Sequence, residues 1–274
     1  MSSEISLLRY VNSVTTNEKL ELAASLSLRD EITQHYYRTT SSRGHQRTRE
    51  YYELAAALLK RRLGPWTPQK QARCLDLACG CGEMLYCLER EGIKNTAGVD
   101  LCSEEIDEAK LFVRGNLVHS DVLGYLRQTD SKSFDFVTAF NFLEHLSKEY
   151  LRDVLLETRR VLRPGGVLVG MVPNSISPFS GITRYWDITH EWAFSPNNFR
   201  QLAALTDFDP TVEFRECGPV AHGPISGIRY LIWQLIRLGI AAWLLVELAD
   251  RKGGVYTMDM LVRLRVPGAG EDRQ

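Results

Sequence analysis

Residues 73–83, RCLDLACGCGE, constrain the chain more than any other stretch. A short apolar run ends in an acid, Asp76, and is followed by the small residues Ala78, Gly80 and Gly82. A second apolar run, NTAGVD, ends in another acid, Asp100, 24 residues after Asp76. This order reads as strand, Gly-rich turn, helix and second strand with an acid at its tip. Glycine lets the backbone turn tightly and approach a ligand closely. An acid at the tip of the second strand is the usual device for holding the two hydroxyls of a ribose. The pattern therefore predicts a nucleoside-containing cofactor. It does not fit the nicotinamide fingerprint G-x-G-x-x-G, because Leu85 stands where the third glycine would fall.

Downstream the pattern alternates. Strands are predicted at RCLDLA, NTAGVD, LVHSDV, SFDFVTAFN and VLVGMVPN. Helices are predicted at EMLYCLEREG, at SEEIDEAKLFVRG with Ser103 as its N-cap, at DVLGYLRQ and at KEYLRDVLLETRRVLRPGG, the last stopped by Pro164-Gly165-Gly166. Alternation of this kind implies a mostly parallel sheet with helices on both faces. After Pro173 the character changes. Residues 175–195 are aromatic and turn-rich and read as a cap over the sheet edge. PNNFRQLAALTDF reads as a helix opened by Pro196, and TVEFRECG and VYTMDMLVRLRV as two strands able to pair antiparallel.

The expected organisation is one domain over 1–274: an N-terminal helical segment (1–69), a cofactor-binding core (70–174), a cap with the sixth strand (175–225), an apolar helical insertion (226–252) and a last strand (253–267). The insertion holds the run IRYLIWQLIRLGIAAWLLVEL, residues 228–248, apolar on nearly all sides but broken by Gln234 and Arg237. A span needs about 20 apolar residues, and a central arginine costs roughly 2.5–3.5 kcal/mol on insertion scales. The expectation is a buried or homodimer-forming helix; a helix lying on a membrane surface, anchored by Trp233 and Trp243, is the alternative. With a formal net charge of -1, no global positive field gathers nucleic acid. Five of the six cysteines cluster around the Gly-rich segment without zinc spacing. No secretory signal is read at the N-terminus, so reduced thiols and a cytoplasmic location are expected, with the inner membrane face as the surface that residues 228–248 would meet.

These motifs resemble those of the class I S-adenosylmethionine-dependent methyltransferases. Residues 75–82 resemble the family's first motif, with Ala78 in place of its first glycine; VDLCSEEIDEAK resembles the second, HSDV the third and FDFVTAFNFLEHL the fourth. The resemblance implies an α/β, Rossmann-like seven-stranded sheet of six parallel strands plus one antiparallel, with N-terminal helices and a cap after strand five. It implies S-adenosylmethionine as cofactor and S-adenosylhomocysteine as product. Asp76, Ala78, Gly80 and Gly82 would cradle the methionine part, Asp100 the ribose, and Leu101, Asp121 and Val122 the adenine. Asn141 and Phe142 would line the methyl-transfer site, and Arg43, on a segment that closes over the cofactor, would meet the carboxylate. The stretch PNSISPFSGITRYWDITHEWAFSPNNFRQL resembles a narrower group of bacterial methyltransferases of polysaccharide, lipopolysaccharide and other glycolipid assembly. It points to a sugar or glycan hydroxyl, or a terminal phosphate, as acceptor.

A sugar hydroxyl has a high pKa, so a base helps as the methyl transfers. His145 is a candidate, with Glu144 orienting its ring; a packing role at a helix start is the alternative. Asp187, His190 and Glu191, in WDITHE, form a second polar group that can converge on a hydroxyl. With a distant partner they could hold a divalent ion such as magnesium, although no metal site is assigned. Tyr185, Trp186 and Trp192 are candidates for stacking on a sugar ring, against simple packing. Two other classes stay open: a methyltransferase for a quinone, lipid or other small molecule, and a non-catalytic subunit of a glycan-assembly complex that keeps the fold.

Overall fold

The computed structural model describes residues 47–248, 254–268 and 270. Residues 45–274 form one compact unit, described here by itself. The first helix, α1, is Arg49–Leu63, capped by Thr48, whose side chain accepts from the Tyr51 N–H. The core then alternates through β1 (Arg73–Leu77), α2 (Glu83–Arg90), β2 (Asn95–Asp100), α3 (Ser103–Ala109), β3 (Asn116–His119), α4 (Val122–Gln128), β4 (Phe134–Phe140), α5 (Lys148–Val161) and β5 (Leu162–Pro173). The remainder is α6 (Ser180–Arg184), α7 (Pro196–Leu205), β6 (Glu213–Glu216), α8 (Pro224–Leu248) and β7 (Asp259–Arg265).

The seven strands lie in the order β3-β2-β1-β4-β5-β7-β6. Strand β7 runs antiparallel to both its neighbours, and every other pairing is parallel. This is the expected sheet of six parallel strands and one antiparallel. Successive side chains of a strand point to opposite faces. Leu75, Val137 and Leu168 accordingly enter one core with α4, α5 and α7, while Cys74, Phe136 and Val169 enter another with α1 and α2. Burial on both faces explains why these strands read as near-continuous apolar runs.

Several boundaries differ from the sequence reading. Helix α3 starts at Ser103 itself, and its cap position is Cys102, whose N–H is held by Asp100 Oδ1 at 2.8 Å. A buried carboxylate thus anchors the residue before the helix, and among the described residues no side chain caps the first turn. Helix α5 ends at Val161, and Pro164-Gly165-Gly166 lie within β5, at the register shift between Phe134 and Phe136. An irregular strand accommodates a proline that a regular ladder does not. The cap after β5 is pinned at its base, where Ser175 N–H donates to Phe194 O and Phe194 N–H to Pro173 O. Helix α7 opens with Pro196 behind a Ser195–Asn198 capping box.

The apolar insertion is not a buried core helix. Among its described side chains none is buried. Its less exposed residues, Trp233, Gln234, Arg237, Ile240, Ala241 and Leu244 among them, include the polar Gln234 and Arg237. Arg237 Nε pairs with Glu216 Oε1 at 3.1 Å, and Trp233 Nε1 donates to Glu216 Oε2 at 3.0 Å. A half-buried carboxylate acceptor at the end of β6 holds Gln234, Arg237 and Trp233 toward the protein and leaves the opposite, apolar side outward.

Candidate active site

Strands β1 and β4 are neighbours although two strands and three helices separate them in the chain, so the direction of strand progression reverses between them. In an open α/β sheet the crevice at the carboxyl ends of such a strand pair is where ligands bind. Four features build its cofactor side.

After β1 the chain turns back sharply. Ala78, Gly80 and Gly82 all have positive φ, 51°, 52° and 83°. Only glycine adopts this region at no steric cost, and Ala78 bears about 1–2 kcal/mol of strain that a glycine there would lack. Gly82 is also tightly enclosed: a Cβ there would stand 2.7 Å from Val113 Cγ2. The turn is tied to the tip of β2, where Gly80 N–H donates to Asp100 Oδ2 at 2.8 Å and Cys79 N–H to Val99 O at 3.0 Å. Asp100 therefore fixes the loop through one oxygen and the start of α3 through the other, and its burial raises its pKa despite those N–H bonds. Leu101 beside it is exposed at the rim, as a residue packing on a base needs to be.

Asp76 lies buried beneath the turn. Burial pushes its pKa up to about 7, although the Thr138 hydroxyl donates to Oδ1 at 2.6 Å. An ammonium group brought beside this buried carboxyl would return it to the ionised form. Asp121 caps α4, accepting from Gly124 N–H at 2.8 Å, and also accepts from the Tyr150 hydroxyl; Val122 is buried next to it. Asn141 follows β4 in the left-handed region, with its N–H on Met171 O, and Phe142 packs against the core. Arg43 lies outside the described residues.

The acceptor side is assembled from the turn after β4 and from the cap. Glu144 and His145 sit in a single helical turn, Leu143–His145. The cap folds onto it by main-chain bonds, Glu191 N–H and Trp192 N–H both reaching Glu144 O. His145 Nδ1 lies 2.7 Å from Thr189 Oγ1, and that hydroxyl donates to Asp187 Oδ1, also at 2.7 Å. Asp187 also accepts from the Thr189 N–H at 2.9 Å. Burial alone would raise the Asp187 pKa, but the Thr189 N–H and hydroxyl and the two nearby imidazoles outweigh it, and the net shift is downward. An ionised Asp187 can only accept, so Thr189 donates to it and His145 Nδ1 must donate to Thr189. That bond sets the tautomer and makes Nε2 the basic nitrogen.

His190 follows the same logic. Its Nδ1 lies 2.8 Å from Thr183 O, a pure acceptor, so Nε2 is again the basic nitrogen. The two imidazoles meet edge to face with centroids 4.7 Å apart. Glu144 is buried against them, and burial pushes its carboxyl up to about 8, with Asp259 and Asp187 raising it further. One ligand atom each of Glu144, His145 and His190 lies within 4.8 Å of the others, a set able to hold a metal ion.

The structure brings Glu144, His145, Asp187 and His190 together; His145 Nδ1 meets Thr189 Oγ1, which Asp187 backs, and the Glu144 carboxylate lies within 4.8 Å of the imidazole ligand atoms. Glu191 is exposed, and its contact with the cluster is through its main-chain N–H. Trp192 is structural: it donates to Leu146 O, stacks on Phe194 and packs against the core. Tyr185 and Trp186 stand exposed beside it in sequence. Two contributors were missed, Thr189 and the half-buried Asp259 at the start of β7, which interacts electrostatically with Glu144 and His190. Thr189 lies inside the D-x-T-H spacing and was legible there; Asp259 carries no local signal.

Comparison with known proteins follows this geometry. Residues 75–170 match the family described as a methyltransferase domain. A Schizosaccharomyces pombe mRNA cap guanine-N(7) methyltransferase is 28% identical over 192 residues, 65% of this chain and 49% of that protein. The chain thus spans about half the length of that curated relative. A structure of an S-adenosylmethionine-dependent methyltransferase from Archaeoglobus fulgidus aligns with a TM-score of 0.59 at 25% identity, covering 78% of this chain and 94% of the other. A Haemonchus contortus phosphoethanolamine N-methyltransferase, solved with S-adenosylhomocysteine, shares the fold with a TM-score of 0.56 at 18% identity, over 90% and 61% of the two chains. The fold is that of the class I S-adenosylmethionine-dependent methyltransferases, and S-adenosylmethionine is the expected cofactor.

Proposed function

We propose that this chain, whose core is a class I S-adenosylmethionine-dependent methyltransferase domain, moves the sulfonium methyl group onto a hydroxyl of a sugar or glycan. Methyl transfer from a sulfonium needs no covalent enzyme intermediate. The protein has to align nucleophile, methyl carbon and sulfur and keep water away, and such positioning is worth several kcal/mol. The turn after β1 and the tip of β2 would hold the cofactor, with Asp100 on the ribose and Asp76 facing the ammonium.

One observation carries the choice of oxygen: the Asp187–Thr189–His145 relay, one turn beyond the strand that adjoins β1. A hydroxyl must lose its proton as the methyl arrives. An imidazole whose other nitrogen is tied to an ionised carboxylate through a hydroxyl is suited to take it. His190 would hold the acceptor from the other side, and the exposed Tyr185 and Trp186 offer faces for a sugar ring. A nucleic-acid acceptor, which the fission-yeast relative's name implies for that protein, finds no support in a net charge of -1.

The Glu144, His145 and His190 grouping favours a second reading of the same site. Two imidazoles and a carboxylate suit zinc or manganese better than magnesium, and such an ion would lower the pKa of an acceptor hydroxyl in place of a base. The experiment for both is labelled-methyl transfer to glycan fractions, with mass spectrometry of the product, before and after dialysis against a chelator. His145→Ala and His190→Ala should lower turnover far more than S-adenosylhomocysteine affinity. If both variants keep full activity, the acceptor-side assignment is wrong; loss of activity on chelation, restored by zinc or manganese, selects the metal.

A further inference from the structure

Helix α8 is amphipathic in the reverse sense. Over its 25 residues it is about 37 Å long. Its polar residues Gln234 and Arg237, with Trp233, turn toward Glu216 at the end of β6. The opposite side carries Leu231, Leu235, Leu238, Trp243 and Val246, and Leu235, Leu238 and Val246 are 69%, 68% and 87% exposed. At 3.6 residues per turn the arc free of charged and amide side chains covers roughly half of the circumference. Arg229 and Glu247 mark one border of that arc and Gln234 the other.

The width of this arc identifies its occupant. A partner helix covers a narrow seam, and even a core-facing helix needs an apolar stripe of only about 100°. A dimer formed through α8 would leave the flanks of a half-cylinder in water. A bilayer surface covers the whole half-cylinder at once. The helix does not span, because its inner side is held to the protein by the Arg237–Glu216 ion pair.

The position of α8 adds a second observation. The helix is inserted between the carboxyl end of β6 and the start of β7, and β7 begins at Asp259 opposite Pro173, where the cap leaves β5. Asn174 ties the two segments, its Nδ2 donating to Val255 O at 2.6 Å and to Thr257 O at 2.9 Å. The cap presents its own exposed apolar residues, among them Phe179, Trp186 and Ile188. Both apolar surfaces therefore belong to the acceptor edge of the sheet.

We propose that the outward half of α8 lies in the surface of a lipid bilayer and that the acceptor is a glycan carried on a lipid. The membrane contact stands on its own observations; the nature of the acceptor rests on the function proposed above. The full chain should co-sediment with phosphatidylcholine vesicles, little affected by salt, since the contact is apolar. Leu235→Glu with Leu238→Glu should lower the partition coefficient roughly tenfold or more. Their S-adenosylhomocysteine affinity should be unchanged, which also reports that the variant is folded; if it is not folded, the Leu235→Ser, Leu238→Ser pair replaces it, with the same expected direction. Brominated lipid should quench Trp243. The proposal is overturned if the native chain stays in the supernatant, if the variants partition as it does, or if the chain forms a dimer in solution that the variants dissolve. Failure of vesicle binding alongside transfer to soluble glycans would remove the membrane and leave the function. Vesicle binding without methyl transfer to any glycan, soluble or lipid-borne, would do the reverse.

Discussion

Replacing Thr189 by valine tests the acceptor site at its least obvious member. The substitution keeps the branched shape and the main-chain bond from residue 189 to Asp187, and it removes one hydroxyl. Two 2.7 Å contacts go with it, to His145 Nδ1 and to Asp187 Oδ1. Thr189 is buried at 8% exposure, so water does not readily replace the hydroxyl. Hydrogen bonds that involve a charged group contribute about 1.5–3 kcal/mol. Because the base acts only when its Nε2 is unprotonated and aimed, most of that loss should fall on the transition state. At 1.36 kcal/mol per factor of ten this amounts to about a ten- to hundredfold drop in kcat. KM for the acceptor should move less, S-adenosylhomocysteine affinity by calorimetry should not move, and Thr189→Ser should recover most of the rate. Nitrogen-15 spectra of the histidine rings supply a readout independent of any acceptor: native His145 should carry its proton on Nδ1, and the valine variant should show a mixture of tautomers. Native His145 protonated on Nε2, or a valine variant with full kcat, would refute the relay.

Asp100→Ala should weaken S-adenosylhomocysteine binding by about a hundredfold or more, because the bonds to two ribose hydroxyls, each about 1.5–3 kcal/mol, are lost together with the tie to Gly80 N–H; near-native affinity by calorimetry would contradict the ribose role. Gly98→Ala should destabilise the protein by about 1–3 kcal/mol and weaken the cofactor as well, since the new Cβ would stand 2.6 Å from Leu85 Cδ1 and 2.8 Å from Cys79 Sγ; thermal melts and calorimetry read the two effects. Asp76 is held up at about 7 from an ordinary 3.8, so between those values the native state keeps a proton that the unfolded chain has lost, and the cofactor-free protein should lose stability as pH rises through that window. Asp76→Asn should flatten that slope in melts run from acid to neutral pH; an unchanged slope would place the titration elsewhere.

The cofactor half was legible because its determinants are local. A turn that needs positive φ at Gly80 and Gly82 selects residue types within a few positions, and the acid at the tip of β2 has one place to stand. The mostly parallel sheet followed from the alternation, and the antiparallel β6–β7 pair from the two strand-like runs after the cap. The acceptor half depends on contacts across 44 residues between His145 and Thr189, so a reading of neighbouring residues reaches Glu144 and does not reach Thr189. Asp259 was not legible, because its effect on Glu144 and His190 arises only when β7 inserts beside β5. Ser103 misled for the same reason, since the helix start is fixed by Asp100 on the preceding strand, which holds the Cys102 N–H.

Helix α8 illustrates the converse, a sequence signal read too coarsely. Counting apolar residues made the run look apolar all round and therefore buried. Placed on a helical wheel, Gln234 and Arg237 fall on one side with Trp233, and Glu216 at the end of β6 supplies the acceptor that turns that side inward. The location follows from topology. An antiparallel last strand makes the β6–β7 connection a return at one edge of the sheet, and lengthening a surface loop costs only about 0.6 kcal/mol per doubling. An insertion there leaves every strand register intact. It emerges at the carboxyl ends of the parallel strands, the edge at which Asp76, Asp100 and His145 all stand. A membrane-binding element added at this connection therefore brings the lipid surface to the acceptor side without any change to the cofactor side.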